Sequence, residues 1–409
     1  MNKKMSRLLC LMMVIVMSLA LLSGCQSDKA KDVSEEVTTV AEVKVTEDIA
    51  SADEVPEEPE EEATEEPEEE TTADEAVEET AEEAPSDDVV EEPGEEVGTD
   101  EDGWFKGYTK GYIPVDGGQV VYRIYGEDKP GTPVIFLHGG PGSSSHYFFK
   151  QYAIGANRPV VLYNQLGSAG SDVSDEYTTA DQVKELFTIE HFVNELETVV
   201  NYFNFDEFVI LGHSWGSMLA VEYTAAKQPD KLKGLVLVGP FLKVDVWIED
   251  AGRLIKTLPD GEEMWKTIQE CESSGVYGEE YDKINAIYSA NFYSRVEGAG
   301  DGTPTDPEIK EVDGVSVYNY MWGPSEFSCT GTLQGHDSTP LLKDIKVPVL
   351  YLAGEYDSGS PEAAKYYNSM TPNGEICVLP GCGHDASRER PEEFNVVVDA
   401  FASRVGDKP

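Results

Sequence analysis

The stretch Phe208-Val209-Ile210-Leu211-Gly212-His213-Ser214-Trp215-Gly216 places a serine in a Gly-x-Ser-x-Gly motif directly after four apolar residues. The apolar residues predict a short buried strand, and residues 217–228 predict a helix that ends before Pro229. A serine at such a junction lies on a sharp turn that lifts its hydroxyl above the sheet, with glycines where side chains would collide. We therefore predict that Ser214 is a nucleophile. The alternative is a structural turn that happens to contain a serine.

The chain around this motif alternates predicted strands with predicted helices. Short runs rich in Val, Ile, Leu and Tyr predict strands at residues 119–125, 132–137, 159–163, 208–211, 235–238, 347–353 and 376–379. Apolar residues at helical spacing, or segments bounded by proline, predict helices at residues 189–203, 217–228, 361–370 and 391–405. This alternation predicts an α/β fold with a mainly parallel sheet and helices on both faces.

The alternation stops after Pro240 and resumes near residue 344. Between these points the chain is rich in aromatic residues and has the pattern of helices and loops, which predicts an inserted, mostly helical cap at residues 241–343. The predicted catalytic core therefore consists of residues 103–240 and 344–409.

The first residues have the pattern of an export signal. Lys3, Lys4 and Arg7 precede an apolar run from Leu8 to Leu22, which is too short for a typical membrane span. The run ends in Leu-Ser-Gly-Cys at residues 22–25, which resembles the bacterial lipobox. We predict a signal peptide at residues 1–24 and lipidation of Cys25, which would anchor the protein to the extracellular face of the cell membrane. The alternative is an ordinary signal peptide with a chance cysteine.

An acidic segment follows the predicted anchor. Residues 26–102 contain 34 Asp and Glu against 3 Lys, with no aromatic residue. Such a composition cannot bury enough apolar surface to fold, so residues 25–102 are predicted to be the lipidated cysteine and a disordered linker that acts as a tether. A calcium-binding or partner-binding tail is the alternative. The whole chain carries a net charge of −49 and has no basic patch, which argues against a nucleic-acid partner.

A serine nucleophile needs a base and an acid that orients it. His384 is the single histidine after the strand predicted at 347–353, and it lies in a Gly-Cys-Gly-His loop. Asp357 follows that strand at the place expected for the acid, with Glu355 as its competitor. We predict the catalytic set Ser214, Asp357 and His384, and a structural role for His213 beside the serine.

The oxyanion of such a reaction needs two backbone N–H donors. One is predicted to be Trp215, the residue after the nucleophile. The other is predicted in the loop His138-Gly139-Gly140-Pro141-Gly142, which follows an early strand. Gly140 is the favoured donor and Gly139 the second choice; an ordinary Gly-Pro turn is the alternative.

Together these motifs resemble the proline iminopeptidase family, whose members have the α/β-hydrolase fold. The resemblance covers residues 108–405 and includes HGGPG at 138–142, GHSWG at 212–216, GEYD at 354–357 and GCGH at 381–384. It also includes Met-Trp-Gly-Pro-Ser-Glu-Phe at 321–327. The family removes an N-terminal residue, often proline, from peptides. The resemblance implies that Glu326 binds the free amino group of the substrate.

Two positions depart from the family pattern, and both bear on the aminopeptidase specificity. Some members have a second amine-binding glutamate directly after the triad acid, where this chain has Ser358. The family's Asp-Gln loop begins here with Asn164 and Gln165. An esterase or lactonase on the same triad, and a binding lipoprotein with a vestigial fold, are the competing hypotheses.

The sequence predicts neither a cofactor nor a metal. Its predicted partners are short peptides with a free N-terminus, or other small substrates, and the membrane. It leaves the pairing of Cys271, Cys329, Cys377 and Cys382 open.

Overall fold

The computed structural model describes residues 97–305, 307–309 and 311–407. The predicted signal peptide, Cys25 and most of the predicted linker lie outside these residues. Eight strands form one sheet: β1 (Tyr108–Val115), β2 (Gly118–Tyr125), β3 (Val134–Leu137), β4 (Val160–Tyr163), β5 (Phe208–His213), β6 (Leu232–Val238), β7 (Val349–Gly354) and β8 (Gly374–Leu379). Their order across the sheet is β1-β2-β4-β3-β5-β6-β7-β8.

The strand directions confirm a mainly parallel α/β sheet. Strand β2 is antiparallel to both of its neighbours, β1 and β4, whereas every pair from β4 to β8 is parallel. All seven predicted strands are present. Strand β1 was not predicted, because its half-exposed edge position gives it no continuous apolar run.

Ten helices accompany the strands in the described residues. They are α1 (Ala180–Leu186), α2 (Ile189–Phe203), α3 (Trp215–Lys227), α4 (Val244–Ile255), α5 (Gly261–Ser274), α6 (Glu279–Phe292), α7 (Val317–Met321), α8 (Pro361–Asn368), α9 (Ala386–Glu389) and α10 (Pro391–Gly406). A 3-10 segment at Ser145–Ala156 follows β3. None of the helices in the described ranges is long and apolar enough to cross a membrane.

The sheet is buried on both faces, which explains the continuous apolar runs in its strands. Alternate residues of β3 pack into two different apolar clusters: Ile135 and Leu137 into one, Val134 and Phe136 into the other. Helices α2 and α3 cover the first face, and α10 contributes to the second. Strand β5 lies inside the sheet between β3 and β6, and Ser214 directly follows its carboxyl end.

The segment between β6 and β7 contains helices α4 to α7, in agreement with the mostly helical content predicted for residues 241–343. Residues of α4, α5 and α6, together with Phe327, form a third apolar cluster of their own. The segment therefore has its own small core, as an insertion into the fold requires.

Ordered contacts begin before Gly103, where the predicted linker ends. Thr99 forms a β-bridge with Phe105, and the Asp100 carboxylate accepts hydrogen bonds from the amides of Asp102 and Trp104. Trp104 is fully buried and stacks against the Arg123 guanidinium, 4.0 Å from its ring centroid. The last residues of the predicted linker thus belong to the folded part.

A buried carboxyl group supports the loop that follows β4. Glu195 on α2 is 2% exposed, and its Oε2 accepts the amide of Leu166 at 2.9 Å. Its Oε1 has no hydrogen-bond partner among the described residues. Burial therefore dominates and raises the pKa of Glu195 to about 8.

This pKa predicts that the protein loses stability as the pH rises. The carboxyl is protonated in the folded chain below pH 8 but ionises near pH 4.5 when unfolded, so unfolding releases a proton between these values. Glu195→Gln removes this dependence and should be more stable than the wild type by roughly 4 kcal/mol above pH 8. Urea denaturation between pH 5 and pH 9 measures the difference. The exposed Glu190→Gln on the same helix is the control, and identical pH slopes in all three proteins would contradict the prediction.

Candidate active site

Ser214 lies at the turn between β5 and α3, with φ 54° and ψ −121°, a conformation that L-residues rarely adopt. The turn is possible because its neighbours are glycines. A Cβ on Gly212 would lie 2.1 Å from the Gly216 oxygen, and one on Gly216 would lie 2.3 Å from the Leu137 oxygen. The strained backbone presents Ser214, which is 9% exposed, to a cavity above the sheet.

His384 and Asp357 meet beside this serine although 27 residues separate them in sequence. The Nδ1–H of His384 donates to Asp357 Oδ1 at 2.6 Å. The Asp357 carboxylate is completely buried and also accepts the amides of Gly359 and Gly354, at 2.7 and 3.2 Å. With Nδ1 fixed as the donor, the neutral ring has its lone pair on Nε2, which is the form a general base requires.

The environment of His384 raises its pKa. Burial of the ring acts to lower the pKa, but the negative charge of Asp357 and its hydrogen bond outweigh this. The charges of Asp385 and Glu326 act in the same direction as Asp357. His384 is therefore a stronger base than an ordinary buried histidine.

The loop that carries His384 is held by the end of helix α6. The His384 amide donates to the Phe292 carbonyl at 2.9 Å, and the Asp385 amide donates to the Tyr293 carbonyl at 3.0 Å. On the other side, the buried Glu389 accepts the Gly383 amide at 2.6 Å. The insertion and the core thus jointly fix the position of His384.

The two other carboxylates near this loop have different partners. Glu355 is exposed and accepts the Gly381 amide at 2.9 Å. Asp385 accepts hydrogen bonds from the Ser294 hydroxyl and the Arg388 guanidinium. Neither of them bonds to His384, so the geometry favours Asp357 over Glu355 as the orienting acid.

A relay of hydrogen bonds explains how the two candidate oxyanion glycines differ. The Gly139 amide donates to the Tyr147 hydroxyl at 2.6 Å, and the hydroxyl lies 3.1 Å from His213 Nδ1. His213 Nε2 lies 3.0 Å from the His384 carbonyl, which can only accept, so His213 donates from Nε2 and accepts at Nδ1. Burial, followed by the charge of His384, lowers the pKa of His213 well below its ordinary value, which keeps the ring neutral.

This relay occupies the amide of Gly139, whereas the amide of Gly140 remains available as an oxyanion donor. Gly140 has φ +114°, and its amide makes no hydrogen bond within the described part of the chain. The arrangement also gives His213 the structural role expected of it, since it links the Tyr147 hydroxyl to the His384 loop.

Trp215 is the first residue of α3, where backbone N–H groups have no partner within the helix. Its indole is buried and donates to Gln165 Oε1 at 2.8 Å. The Gln165 side chain in turn donates from Nε2 to the His138 carbonyl at 3.0 Å, so it connects both predicted oxyanion segments.

Asn164 has a structural reason to differ from the aspartate of the family. Its Oδ1 accepts the Ser145 amide at 2.7 Å, and its Nδ2 donates to the Ala169 carbonyl at 2.6 Å. An aspartate could make the first of these bonds but not the second. The departure noted in the sequence therefore belongs to loop packing and does not touch the cavity.

The cavity above Ser214 has a volume of about 490 Å³, which is within the range of small-molecule sites. Ser214, His384, Gly140 and Glu326 all line it. The structure thus brings together the residues predicted from separate motifs. Cys25, the predicted lipidation site, lies outside the described residues.

Glu326 is half-buried and is held by two tyrosines that sequence patterns did not reveal. Tyr293 donates its hydroxyl to Glu326 Oε2 at 3.0 Å, and Tyr318 donates to Oε1. Burial, followed by the charge of Glu326, raises the pKa of both hydroxyls well above the ordinary value, so both remain donors. Tyr293 is 33 residues away in sequence, and no motif connects it to the glutamate.

The turn that presents Glu326 is anchored by Glu272 on α5. This carboxylate accepts hydrogen bonds from the hydroxyls of Tyr277, Tyr281, Ser325 and Ser328. Ser358, which replaces the second glutamate of the family, is buried, and its hydroxyl has no partner among the described residues. It does not line the cavity.

The cysteines of the described ranges, Cys271, Cys329, Cys377 and Cys382, are all unpaired. No group of three or more His, Cys, Asp or Glu side chains in the described ranges could hold a metal ion.

Comparison with known proteins identifies relatives that match more than two thirds of the chain. A family model for the α/β hydrolase fold matches residues 132–266. A proline iminopeptidase from Heyndrickxia coagulans is 37% identical over 300 residues, which cover 73% of this chain and 100% of the relative. A proline iminopeptidase from Lactobacillus delbrueckii subsp. bulgaricus is 36% identical over 281 residues, covering 68% of this chain and 91% of the relative.

Solved structures agree with these relatives. The crystal structure of VinJ is 28% identical with a TM-score of 0.62, covering 73% of this chain and 99% of VinJ. The crystal structure of a proline iminopeptidase from Mycobacterium smegmatis is 26% identical with a TM-score of 0.60, covering 72% and 98%.

The contact between His384 and Asp357 predicts the effect of replacing the acid. Asp357→Asn should lower kcat on an activated ester about 10³- to 10⁴-fold, because an amide NH₂ group that faces Nδ1 donates to it and selects the wrong tautomer. Loss of the aspartate charge should also lower the pKa of His384 and move the acid limb of the pH–rate profile to lower pH. Steady-state kinetics across pH measures both effects. Glu355→Gln is the matched control; a large loss in that variant and none in Asp357→Asn would reverse the assignment.

Proposed function

The chain belongs to the proline iminopeptidase family, and from that premise we propose that it is a serine aminopeptidase that releases the N-terminal residue of short peptides. Ser214 is the proposed nucleophile, His384 the general base and Asp357 the orienting acid. One observation carries the proposal: a half-buried carboxylate, Glu326, lines the same cavity as the serine and the histidine.

In the first half-reaction, Ser214 Oγ attacks the carbonyl of the first peptide bond while His384 Nε2 takes its proton. Asp357 stabilises the imidazolium that forms, because its carboxylate is already bonded to Nδ1. The amides of Gly140 and Trp215 are the proposed donors to the oxyanion, at the N-terminus of α3, where the helix dipole also favours negative charge.

Collapse of this intermediate breaks the C–N bond. His384 returns its proton to the leaving nitrogen, so the shortened peptide departs as an amine and the first residue remains as an ester on Ser214. Water, deprotonated by the same His384, then attacks the ester. The second intermediate breaks its bond to Oγ, and His384 returns the proton to Ser214 Oγ as the free amino acid leaves. The histidine thus ends the cycle neutral, as it began.

Glu326 supplies the proposed specificity for a free N-terminus. Tyr293 and Tyr318 each donate to one of its oxygens, which orients the carboxylate without neutralising it. Further lone pairs on these oxygens remain for a substrate ammonium. Trp247, Trp322 and Phe241 provide apolar walls in the same cavity, which suit a flat apolar ring such as that of proline.

Free and acetylated substrates test this specificity. Acetylation removes the charge that pairs with Glu326 and should lower kcat/KM of a prolyl-aminocoumarin about 30- to 1000-fold. Glu326→Gln should produce a similar loss on the free-amine substrate and almost none on a simple acyl ester. The exposed Glu263→Gln on α5 is the control. Equal rates on the free and acetylated substrates, unaffected by Glu326→Gln, would favour the esterase alternative.

We propose in addition that Cys25 carries a diacylglycerol anchor that holds the enzyme on the outer face of the bacterial cell membrane. The basic start, the apolar run and the Leu-Ser-Gly-Cys sequence support this proposal. The acidic linker would then keep the catalytic part away from the anionic membrane surface, because like charges repel and extend the chain.

The anchor is tested by Cys25→Ser. Labelling of the cells with a palmitate analogue should mark the wild-type protein and leave the variant unlabelled, because the thioether acceptor is missing. The variant should also leave the washed membrane fraction. Cys10→Ser, within the apolar run, is the matched control, and label retained on Cys25→Ser would place the lipid elsewhere.

A further inference from the structure

The cavity contains a positively charged side chain, Arg388, that the proposed function does not use. We propose that Arg388 binds the C-terminal carboxylate of a dipeptide, so that dipeptides are the preferred substrates of this enzyme. The inference rests on the proposed aminopeptidase function and identifies the residue that would bind the leaving part of the substrate. Arg388 would contact the residue that leaves as the amine, whereas Glu326 would contact the N-terminal residue that forms the ester on Ser214.

Arg388 is the single lysine or arginine among the residues that line the cavity. The other acidic or basic side chains that line the cavity, apart from the histidines, are those of Glu326 and Asp385. Its side chain is 20% exposed, so the guanidinium is neither buried in the core nor free in solvent. A cavity with one cation and a separate carboxylate matches a substrate that carries both charges.

The two charges come from different parts of the fold. Arg388 lies on α9, which packs against the 3-10 segment Ser145–Ala156 of the core. Glu326 lies in the insertion between β6 and β7. The positive charge of Arg388 acts on His213 and Tyr147, the residues of the relay to Gly139. The negative charge of Glu326 acts on His384.

The guanidinium is oriented but not saturated. Its Nη2 donates to the Asp385 carboxylate, which also accepts the Ser294 hydroxyl. Its Nε is buried and has no hydrogen-bond partner among the described residues. A guanidinium has five N–H donors, so the bond to Asp385 leaves donors for a second carboxylate. Because Asp385 offsets part of the charge, we expect a moderate preference.

In a dipeptide, the C-terminal carboxylate lies close to the scissile bond, so a group that binds it must lie near the catalytic residues. When the scissile carbonyl is at Ser214, the terminal carboxylate carbon of a dipeptide is only two bonds from the scissile nitrogen. A cation that recognises it must therefore lie close to the base that protonates that nitrogen. Arg388 lines the same cavity as His384 and follows it by four residues. In a longer peptide the carboxylate would lie farther out.

The test compares prolylglycine with prolylglycinamide, which differ in the carboxylate alone. For the wild type, kcat/KM should be about tenfold higher on prolylglycine, the effect of one charge-assisted hydrogen bond. Prolylglycylglycine should behave like the amide, because its carboxylate is displaced by one residue. The ratio of the two rates is insensitive to a general loss of activity.

In Arg388→Gln the ratio should fall to about one, and in Arg388→Lys it should stay above one because the charge remains without the planar fork. Arg253→Gln, an exposed arginine on α4, is the matched control and should keep the wild-type ratio. If Arg388→Gln does not fold, the wild-type ratio and Arg388→Lys still decide.

Equal rates on the two peptides for the wild type would overturn the inference and leave the aminopeptidase function intact. A wild-type ratio retained in Arg388→Gln would also overturn it, since another group would then read the carboxylate. Failure to cleave any of these peptides or prolyl-aminocoumarin would overturn the proposed function itself, and the inference with it.

Discussion

The active site depends on one strained turn, in which Ser214 adopts a positive φ between the central strand β5 and helix α3. The turn is possible only because Gly212 and Gly216 have no side chain. The surrounding backbone is packed too closely for a Cβ at either position. A buried strand on one side and a buried helix on the other hold it in place. Strain of this kind persists when the structure around it leaves no alternative, and here it exposes a hydroxyl at the floor of a cavity.

The rest of the site is assembled around that hydroxyl by groups that are distant in sequence. Asp357 is fixed by two backbone amides before it meets His384, and the carbonyls of Phe292 and Tyr293 hold the histidine loop. Since these two carbonyls belong to the insertion, the same segment positions His384, the proposed base, and contributes Glu326. The positions of the proposed base and of the proposed amine-binding carboxylate therefore depend on the same segment. A change in the insertion that moves the end of α6 should affect both.

The sequence predicted the parts of this arrangement that local patterns specify. Buried strands appear as apolar runs, and the elbow, the Gly-Gly loop and the histidine loop each have a recognisable local pattern. Strand β1 was missed because an edge strand with exposed residues lacks such a run. The sequence favoured Gly140 over Gly139 as the oxyanion donor, but no local pattern shows the physical reason, which is the tertiary contact between the Gly139 amide and the Tyr147 hydroxyl. Tyr293 and Arg388 likewise enter the cavity only through folding, since neither lies in a motif.

We propose that Ser214 attacks substrates whose free amine binds to Glu326. The most direct measurement uses a diphenyl phosphonate analogue of proline, whose phosphorus reacts covalently with an activated serine, together with its N-acetyl form. We expect peptide mapping to place the adduct on Ser214, and we expect the free-amine form to inactivate the enzyme at least about tenfold faster than the N-acetyl form. An adduct on another residue, or equal rates for the two forms, would contradict it.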